Sequence, residues 1–264
     1  FRIAHVGFQY IVDATGAGSH TSLLKDQVGI LMAAAEGTKN LLDLAVSSHA
    51  RFILLSDALV YGAVEGDELT EEMRGTLSST PHINRAAEAK RFAEDLVAEY
   101  QELYSLETVV VRLGVVYGSR MHLGDGRLIS TLIEQALHGD DILLPAGLKA
   151  VQALYISDAC DALKKVIAGD TTGIYNLASA TVYDLSGIAE AIVKRLESHS
   201  QIKESSGDGE LKDEFAFWKE QSKPLSIAKI KDAFGWFPVV RIEDGLSETI
   251  NYMKSLRGVR RVDS

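Results

Sequence analysis

The chain has 264 residues, 46% of them hydrophobic and 24% charged, enough apolar material to bury one large core or two modest ones. No apolar run approaches the roughly 18 residues that span a bilayer, so no membrane segment is expected. A net charge of −10 disfavours a nucleic-acid partner, because binding to a phosphate backbone draws its affinity from clustered Lys and Arg. The basic cluster RGVRR at 257–261 reads as a solvated tail.

Taken in chain order, short apolar runs alternate with longer segments of helical period. A strand is predicted near 8–14 (FQYIVDA), a helix near 27–47, a strand near 51–56 (RFILLS), a helix near 83–104 and a strand near 107–113 (ETVVVRL). A helix near 127–138, short strands near 142–145 and 151–155, a helix near 158–168 and a strand near 173–178 (GIYNLA) follow. Beyond residue 184 the pattern is mostly helical, with helices near 184–197, 226–234 and 243–256, the first two capped at their starts by Asp184 and Ser226. This alternation is that of an α/β fold built on a parallel sheet.

The polar stretch ESHSQIKESSGDGELKDE at 197–214 is read as a mobile loop, with a cap over a substrate cleft as the alternative. Cys160 is the only cysteine, so no intrachain disulfide can form and a reducing, cytoplasmic compartment is expected. Its place in YISDACDAL predicts a buried structural thiol. The chain opens on Phe1 without an initiator Met or a signal pattern, which reads as a cut.

Within PHINRAAEAKRFAEDLVAEY, residues 81–100, the positions Ala86, Ala89, Phe92, Ala93, Leu96, Val97 and Tyr100 recur at the spacing of one buried helical stripe. Lys90 lies on its margin, where a lysine ordinarily snorkels to water. Its neighbours suggest another role. EGTKNLLDLA (36–45), RFILLSDALVYG (51–62), VVVRLGVVYGSR (109–120), ALYISDACDAL, GIYNLAS and KIKDAFGWFP followed by IEDGL together resemble the extended short-chain dehydrogenase/reductase family, the NAD-dependent epimerase/dehydratases of nucleotide sugars. The resemblance covers essentially the whole chain, in the family's order.

What the resemblance implies is a Rossmann-type domain at 1–178 binding NAD or NADP, with 120–156 contributing to the substrate side, and a smaller, mostly helical substrate subdomain at 179–264. It implies hydride-transfer chemistry in which a tyrosine moves a proton, a lysine one turn later lowers that tyrosine's pKa, and a serine or threonine orients the substrate. On this register Lys90 is the lysine, but the tyrosine position is Ala86 and the serine position is Asp57, preceded by Ser56. Lys90 and Asp57 are therefore the candidate catalytic residues, with His82 a further candidate proton carrier. Ala14, Thr15, Ser56 and Lys90 are the candidate cofactor contacts, Tyr117 and Arg120 the candidate substrate contacts, and no metal site is expected.

Alanine has no proton to move, and a carboxylate cannot supply the hydroxyl's donor hydrogen. Further family positions are also changed: Ala34 and Val115 stand for asparagines and Val151 for an arginine that clamps pyrophosphate. GAG at 16–18 lacks the third glycine of a cofactor turn, and the spacing from Ala14 to Gly37 assigns the first strand to the family's fourth. By that analogy about three strands and their helices, roughly 60–70 residues, precede this register in relatives. The expected consequences are impaired catalysis with a binding or regulatory role, a nucleotide-sugar or other small-molecule ligand, and a homodimer or a partner chain completing the sheet. An atypical epimerase or reductase with relocated acid/base groups is the alternative.

Overall fold

The computed structural model describes residues 7–15, 25–77, 80–205 and 212–260. Its elements run β1 (Tyr10–Asp13), α1 (Gln27–Met32), a π-helical turn (Ala33–Gly37), α2 (Thr38–Ser48), β2 (Arg51–Asp57), a 3-10 turn (Ala58–Tyr61) and α3 (Pro81–Tyr104). Then come β3 (Thr108–Leu113), β4 (Val115–Tyr117), α4 (Leu128–His138), β5 (Ile142–Pro145), β6 (Ala150–Val151), β7 (Ala153–Tyr155), α5 (Ile156–Ala168) and β8 (Gly173–Leu177). β9 (Tyr183–Asp184), α6 (Leu185–Leu196), β10 (Ile202–Ser205), α7 (Lys212–Gln221), α8 (Ala228–Phe234) and α9 (Ile242–Arg260) complete the chain.

The main sheet has the order β1-β2-β3-β8 with every pair parallel, the Rossmann-type arrangement expected. Its strands are apolar at nearly every position because helices cover both faces. Phe52, Leu54 and Val110 pack against Leu42, Ala45, Ala93 and Val97 of α2 and α3. Ile53, Val109 and Val111, pointing the other way by the two-residue period, pack against Ala159, Ala162 and Val166 of α5 and Ile230 of α8. β1 is covered on one face only: Ile11 and Asp13 are buried, whereas Tyr10 and Val12 are 46% and 40% exposed. Among the described residues no strand pairs with its outer edge.

A second core joins α4, α6, α7 and α9 through Leu132, Ile133, Ile188, Ile192, Trp218, Leu246 and Ile250. Helix α3 belongs to both cores. Its first turns bury Ile83, Ala86 and Ala87 in the second core, and its later turns bury Ala89, Ala93 and Val97 under the sheet. Residues 86–90 thus sit where the two cores meet, which fixes the helix at the cleft between them.

Several expectations are corrected. Phe92 is 48% exposed, because it stands one step of about 100° from Ala93 around the helix. Cys160 is exposed for the same reason, since the buried side of α5 carries Asp158, Ala159, Ala162 and Val166. Ser226 does not cap α8; the helix starts behind Ile227 without a side-chain cap, and the Ser226 N–H donates instead to Leu69 O. The polar stretch at 197–214 is not one loop. Ile202–Ser205 pairs in parallel with Ile142–Pro145, and α7 begins at Lys212. The polarity of 202–205 follows from its place in a two-stranded ribbon, where no residue of the strand is fully buried. GAG at 16–18, part of this stretch (206–211) and the His82 side chain lie outside the described residues.

The cap on α6 is present: Asp184 Oδ2 accepts from the Gly187 N–H at 2.8 Å. Asp184→Ala is expected to lower stability by about 1 kcal/mol, read as a shift of the urea midpoint with an unchanged slope. No shift would remove the cap from the account.

Candidate functional site

The cleft opens at the carboxyl ends of β1, β2 and β3, the end at which open α/β sheets place their ligands. Lys90 reaches it from α3 and donates from Nζ to Leu55 O and Thr15 O, both at 2.7 Å. The ammonium is thereby pinned at the tips of β1 and β2. Asp13, fully buried at the end of β1, accepts from Thr15 N (2.8 Å), Thr15 Oγ (2.6 Å) and Thr38 Oγ (2.7 Å). Burial pulls the Lys90 pKa below its ordinary value, and Asp13, Asp57 and Glu94 partly offset that pull.

Asp57 ends β2 and caps the 3-10 turn, accepting from Leu59 N at 2.8 Å through Oδ1. Its Oδ2 accepts from Gln221 Nε2 of α7 at 3.0 Å. Burial pushes this carboxyl above the usual carboxylate range, against the downward pull of the Leu59 N–H, Lys90, Gln221 and Arg127. Lys90 and Asp57 feel each other's charge, but no ion pair within 4.0 Å joins them; the ammonium spends two of its three N–H groups on carbonyls.

The raised Asp57 pKa fixes a sign for pH dependence. The folded state holds the Asp57 proton to higher pH than the unfolded chain, so stability falls as pH rises from the ordinary carboxylate value through the folded one. Asp57→Asn can keep the Leu59 contact through Oδ1 and donate from Nδ2 to the oxygen of a reoriented Gln221 amide. It is expected to be more stable than the parent at neutral pH and equal to it below the ordinary carboxylate pKa, measured by denaturant unfolding at both pH values. A variant less stable at neutral pH would contradict the raised pKa.

Two cavities adjoin at Thr15, Asp57, Lys90 and Phe217. The larger, about 890 Å³, is also lined by Ala14, Ser56, Gly114, Val115, Arg127 and Gln221. The smaller, about 480 Å³, is mainly apolar and is lined by Ile30, Ala34, Leu59, Ala86, Ala89 and Ala93. Ala34 reaches it from the π-helical turn, a widened stretch of helix of the kind found at functional sites. Among the described residues, no tyrosine lines either cavity.

Of the residues singled out in the sequence, Lys90, Asp57, Ala14, Thr15 and Ser56 come together here. The Ser56 hydroxyl is already engaged, donating to Glu94 Oε1 at 2.5 Å. Tyr117 and Arg120 are not brought to the cleft. Tyr117 is 1% exposed in the second core, with its ring against Tyr155 and its hydroxyl donating weakly to Ile242 O at 3.4 Å. Gly245 of α9 lies so close that a Cβ there would stand 2.3 Å from the Tyr117 hydroxyl oxygen. Arg120 is exposed on a left-handed turn, φ 75°.

The sequence reading missed Arg127, Phe217 and Gln221. Arg127 immediately precedes α4 and lines the larger cavity, with Nε 3.8 Å from Asp125. The position of an arginine at the mouth of the helical pattern at 127–138 was its one available signal. Phe217 and Gln221 lie on α7, which only the tertiary contacts bring over the strand tips.

Residues 2–178 match the NAD dependent epimerase/dehydratase family model. The chain is 31% identical over 213 residues to UDP-glucuronic acid decarboxylase 6 of Arabidopsis thaliana, covering 80% of this chain and 59% of the relative. It is 32% identical over 219 residues to UDP-glucuronic acid decarboxylase 1 of Xenopus tropicalis, covering 83% of this chain and 50% of that one. It therefore spans between half and three-fifths of the length of these curated relatives. In fold it is similar to the UDP-glucose 4-epimerase of Thermotoga maritima (TM-score 0.79, 18% identity, 94% of this chain and 78% of that chain). The dTDP-glucose 4,6-dehydratase of Bacillus anthracis is similar too (TM-score 0.75, 22% identity, 94% and 73%). Described residues contain no helix long and apolar enough to cross a membrane. With a family model matched over two-thirds of its length and relatives above 30% identity, the chain belongs to the NAD dependent epimerase/dehydratase family.

Proposed function

We propose that this chain keeps the family's ligand cleft but lacks the family's tyrosine-driven proton transfer, and that it serves a binding or regulatory role. The observation that supports this most is the pairing of Lys90, held at the strand tips, with Ala86, which faces an apolar cavity where a phenol would stand. The ligand class is a nucleotide sugar. Its sugar end would meet Lys90 and Arg127, the two cations among the described residues that line the larger cavity, and relatives are named for acting on UDP-glucuronic acid, a carboxylate-bearing sugar nucleotide.

For NAD(P), the residues present fit one end of the cofactor. Lys90 has one N–H left over after Thr15 and Leu55, and it opens on a cavity that can admit a ribose hydroxyl. The sequence holds no glycine-rich turn with three glycines in family spacing for the pyrophosphate. A bound NAD(P) would supply hydride acceptance; the chain's own residues would orient the ribose through Lys90. The domain division at residue 178, a cytoplasmic setting suited to the exposed free thiol of Cys160, and a homodimer or a partner chain completing the sheet at the outer edge of β1 are parts of the same reading.

Calorimetric titration of NAD(H), NADP(H) and UDP-glucuronic acid into the full natural polypeptide, alongside a turnover assay, tests it. Binding with turnover at or below the uncatalysed rate is expected. Turnover of a nucleotide sugar at a rate typical of an enzyme would overturn it.

A second reading rests on the opposed shifts of Asp57, raised, and Lys90, lowered, which leave two proton-exchanging groups at one cleft. On it, the chain is an atypical reductase or epimerase with Asp57 and Lys90 as acid and base. An activity that survives both Lys90→Ala and Asp57→Ala would exclude it.

A further inference from the structure

Asp13 closes the apolar strand β1 with a fully buried carboxylate. Among the described residues its hydrogen-bond partners are threonines: Oδ1 accepts from Thr15 N and Thr15 Oγ, and Oδ2 accepts from the hydroxyl of Thr38, the first residue of α2. A neutral amide could meet the same three groups at lower cost, because a buried charge needs a compensating one. Lys90 supplies it. Thr15 gives its N–H and hydroxyl to Asp13 and its carbonyl to the Lys90 ammonium, so a single residue joins the two charges.

We propose that Asp13 is the positioning residue of the cleft's ammonium: it sets the turn that presents the Thr15 carbonyl to Lys90, and its charge keeps that ammonium charged where it lines the larger cavity. This deepens the binding role proposed above and rests on it only in taking the cleft as a ligand site.

The bond from the Thr15 N–H to Asp13 Oδ1, two residues back, is that of an Asx turn, which fixes the direction of the backbone at its end. Thr38 holds the other oxygen, so the carboxylate is tied on both sides. Three other charged groups face Lys90 or share its cavity: Asp57 at the end of β2, Glu94 one turn later on α3, and Arg127 before α4. Helix α7 brings only the uncharged Phe217 and Gln221 to that cavity. Glu94 is committed to Arg112 and Ser56, and Asp57 to Leu59 and Gln221. Asp13 accordingly supports the charge of Lys90 more than Asp57 or Glu94 does.

Asp13→Asn separates the charge from the geometry. The amide oxygen can still accept from Thr15, and Nδ2 can donate to the Thr38 hydroxyl, so the turn is kept while the charge is lost. The full chain, labelled with ¹³C,¹⁵N-lysine, is titrated with base and followed by NMR, the Lys90 signal being assigned by its loss in Lys90→Met. Lys90 is expected to lose its proton at lower pH in Asp13→Asn than in the parent, with a smaller displacement in Asp57→Asn. A purely structural Asp13 would weaken the fold and leave the titration of Lys90 where it was. The readout needs no ligand, so it stands or falls separately from nucleotide-sugar binding. If Asp13→Asn alone does not fold, the pair change Asp13→Asn with Lys90→Met is expected to fold, since no ammonium is then stranded. An unmoved Lys90 titration in Asp13→Asn, a larger displacement in Asp57→Asn, or a pair that fails to fold just as the single variant does overturns the assignment.

Discussion

Glu94→Ala is expected to lower the stability of this chain by about 3–5 kcal/mol, because it leaves the Arg112 guanidinium buried without its counter-charge. Glu94 and Arg112 are 9% and 8% exposed. The carboxylate accepts Arg112 Nη2 at 2.7 Å and Nε at 3.1 Å, and also takes the Ser56 hydroxyl. Burial acts against the charge of Arg112, yet Glu94 holds its pKa above the ordinary guanidinium value.

The pair extends into a wider network. Arg112 Nη1 donates to Glu71 O at 2.9 Å, and its guanidinium lies 4.7 Å from the centre of the Tyr61 ring. Tyr61 donates to Asn176 Oδ1, and the Asn176 N–H donates to Glu71 Oε1. The network ties β2, β3, β8 and α3 together directly beneath the cleft. Thermal unfolding should show a loss of roughly 10 °C for Glu94→Ala, whereas the pair change Glu94→Leu with Arg112→Met should lose much less, since no charge is then stranded. A loss below about 2 °C in the single variant would mean that the buried pair contributes little.

The second large effect concerns chemistry. Ala86→Tyr combined with Asp57→Ser is expected to raise turnover of a nucleotide sugar at least about 10²-fold, the low end of what a placed proton carrier supplies. The tyrosine ring would enter the apolar cavity lined by Ala34, Leu59 and Phe217, one turn ahead of Lys90. Serine at position 57 can still cap the 3-10 turn through Leu59 N. The gain is expected only in a polypeptide that also supplies a glycine-rich cofactor unit. Nicotinamide absorbance during turnover is the readout. A cofactor-loaded double variant as slow as the parent would show that position 86 is not where the proton carrier belongs.

The strands at 51–56, 107–113 and 173–178 were legible because short apolar runs between helical periods have few alternatives. The helix near 83–104 was legible through its stripe, and the structure starts it two residues earlier, at Pro81. Phe92 and Cys160 were misread because periodicity gives a helix's apolar side only to within one residue step, while burial depends on which neighbours arrive. Helix α7 was missed because a polar ribbon strand precedes it, so the composition of 197–214 resembled a loop.

By itself, the sequence determined the parallel α/β framework, the position of Lys90 on its helix and the absence of a hydroxyl at positions 86 and 57. Those are properties of local pattern and of side-chain chemistry. Only the tertiary structure decided that Tyr117 is core while Arg127, Phe217 and Gln221 face the cleft, and that Arg51 is buried with donors to spare. These depend on elements far apart in the chain, with Gln221 164 positions after Asp57 and Thr171 120 positions after Arg51. Spacing along one helix or strand carries no information about such meetings, which are set by how two cores close around α3.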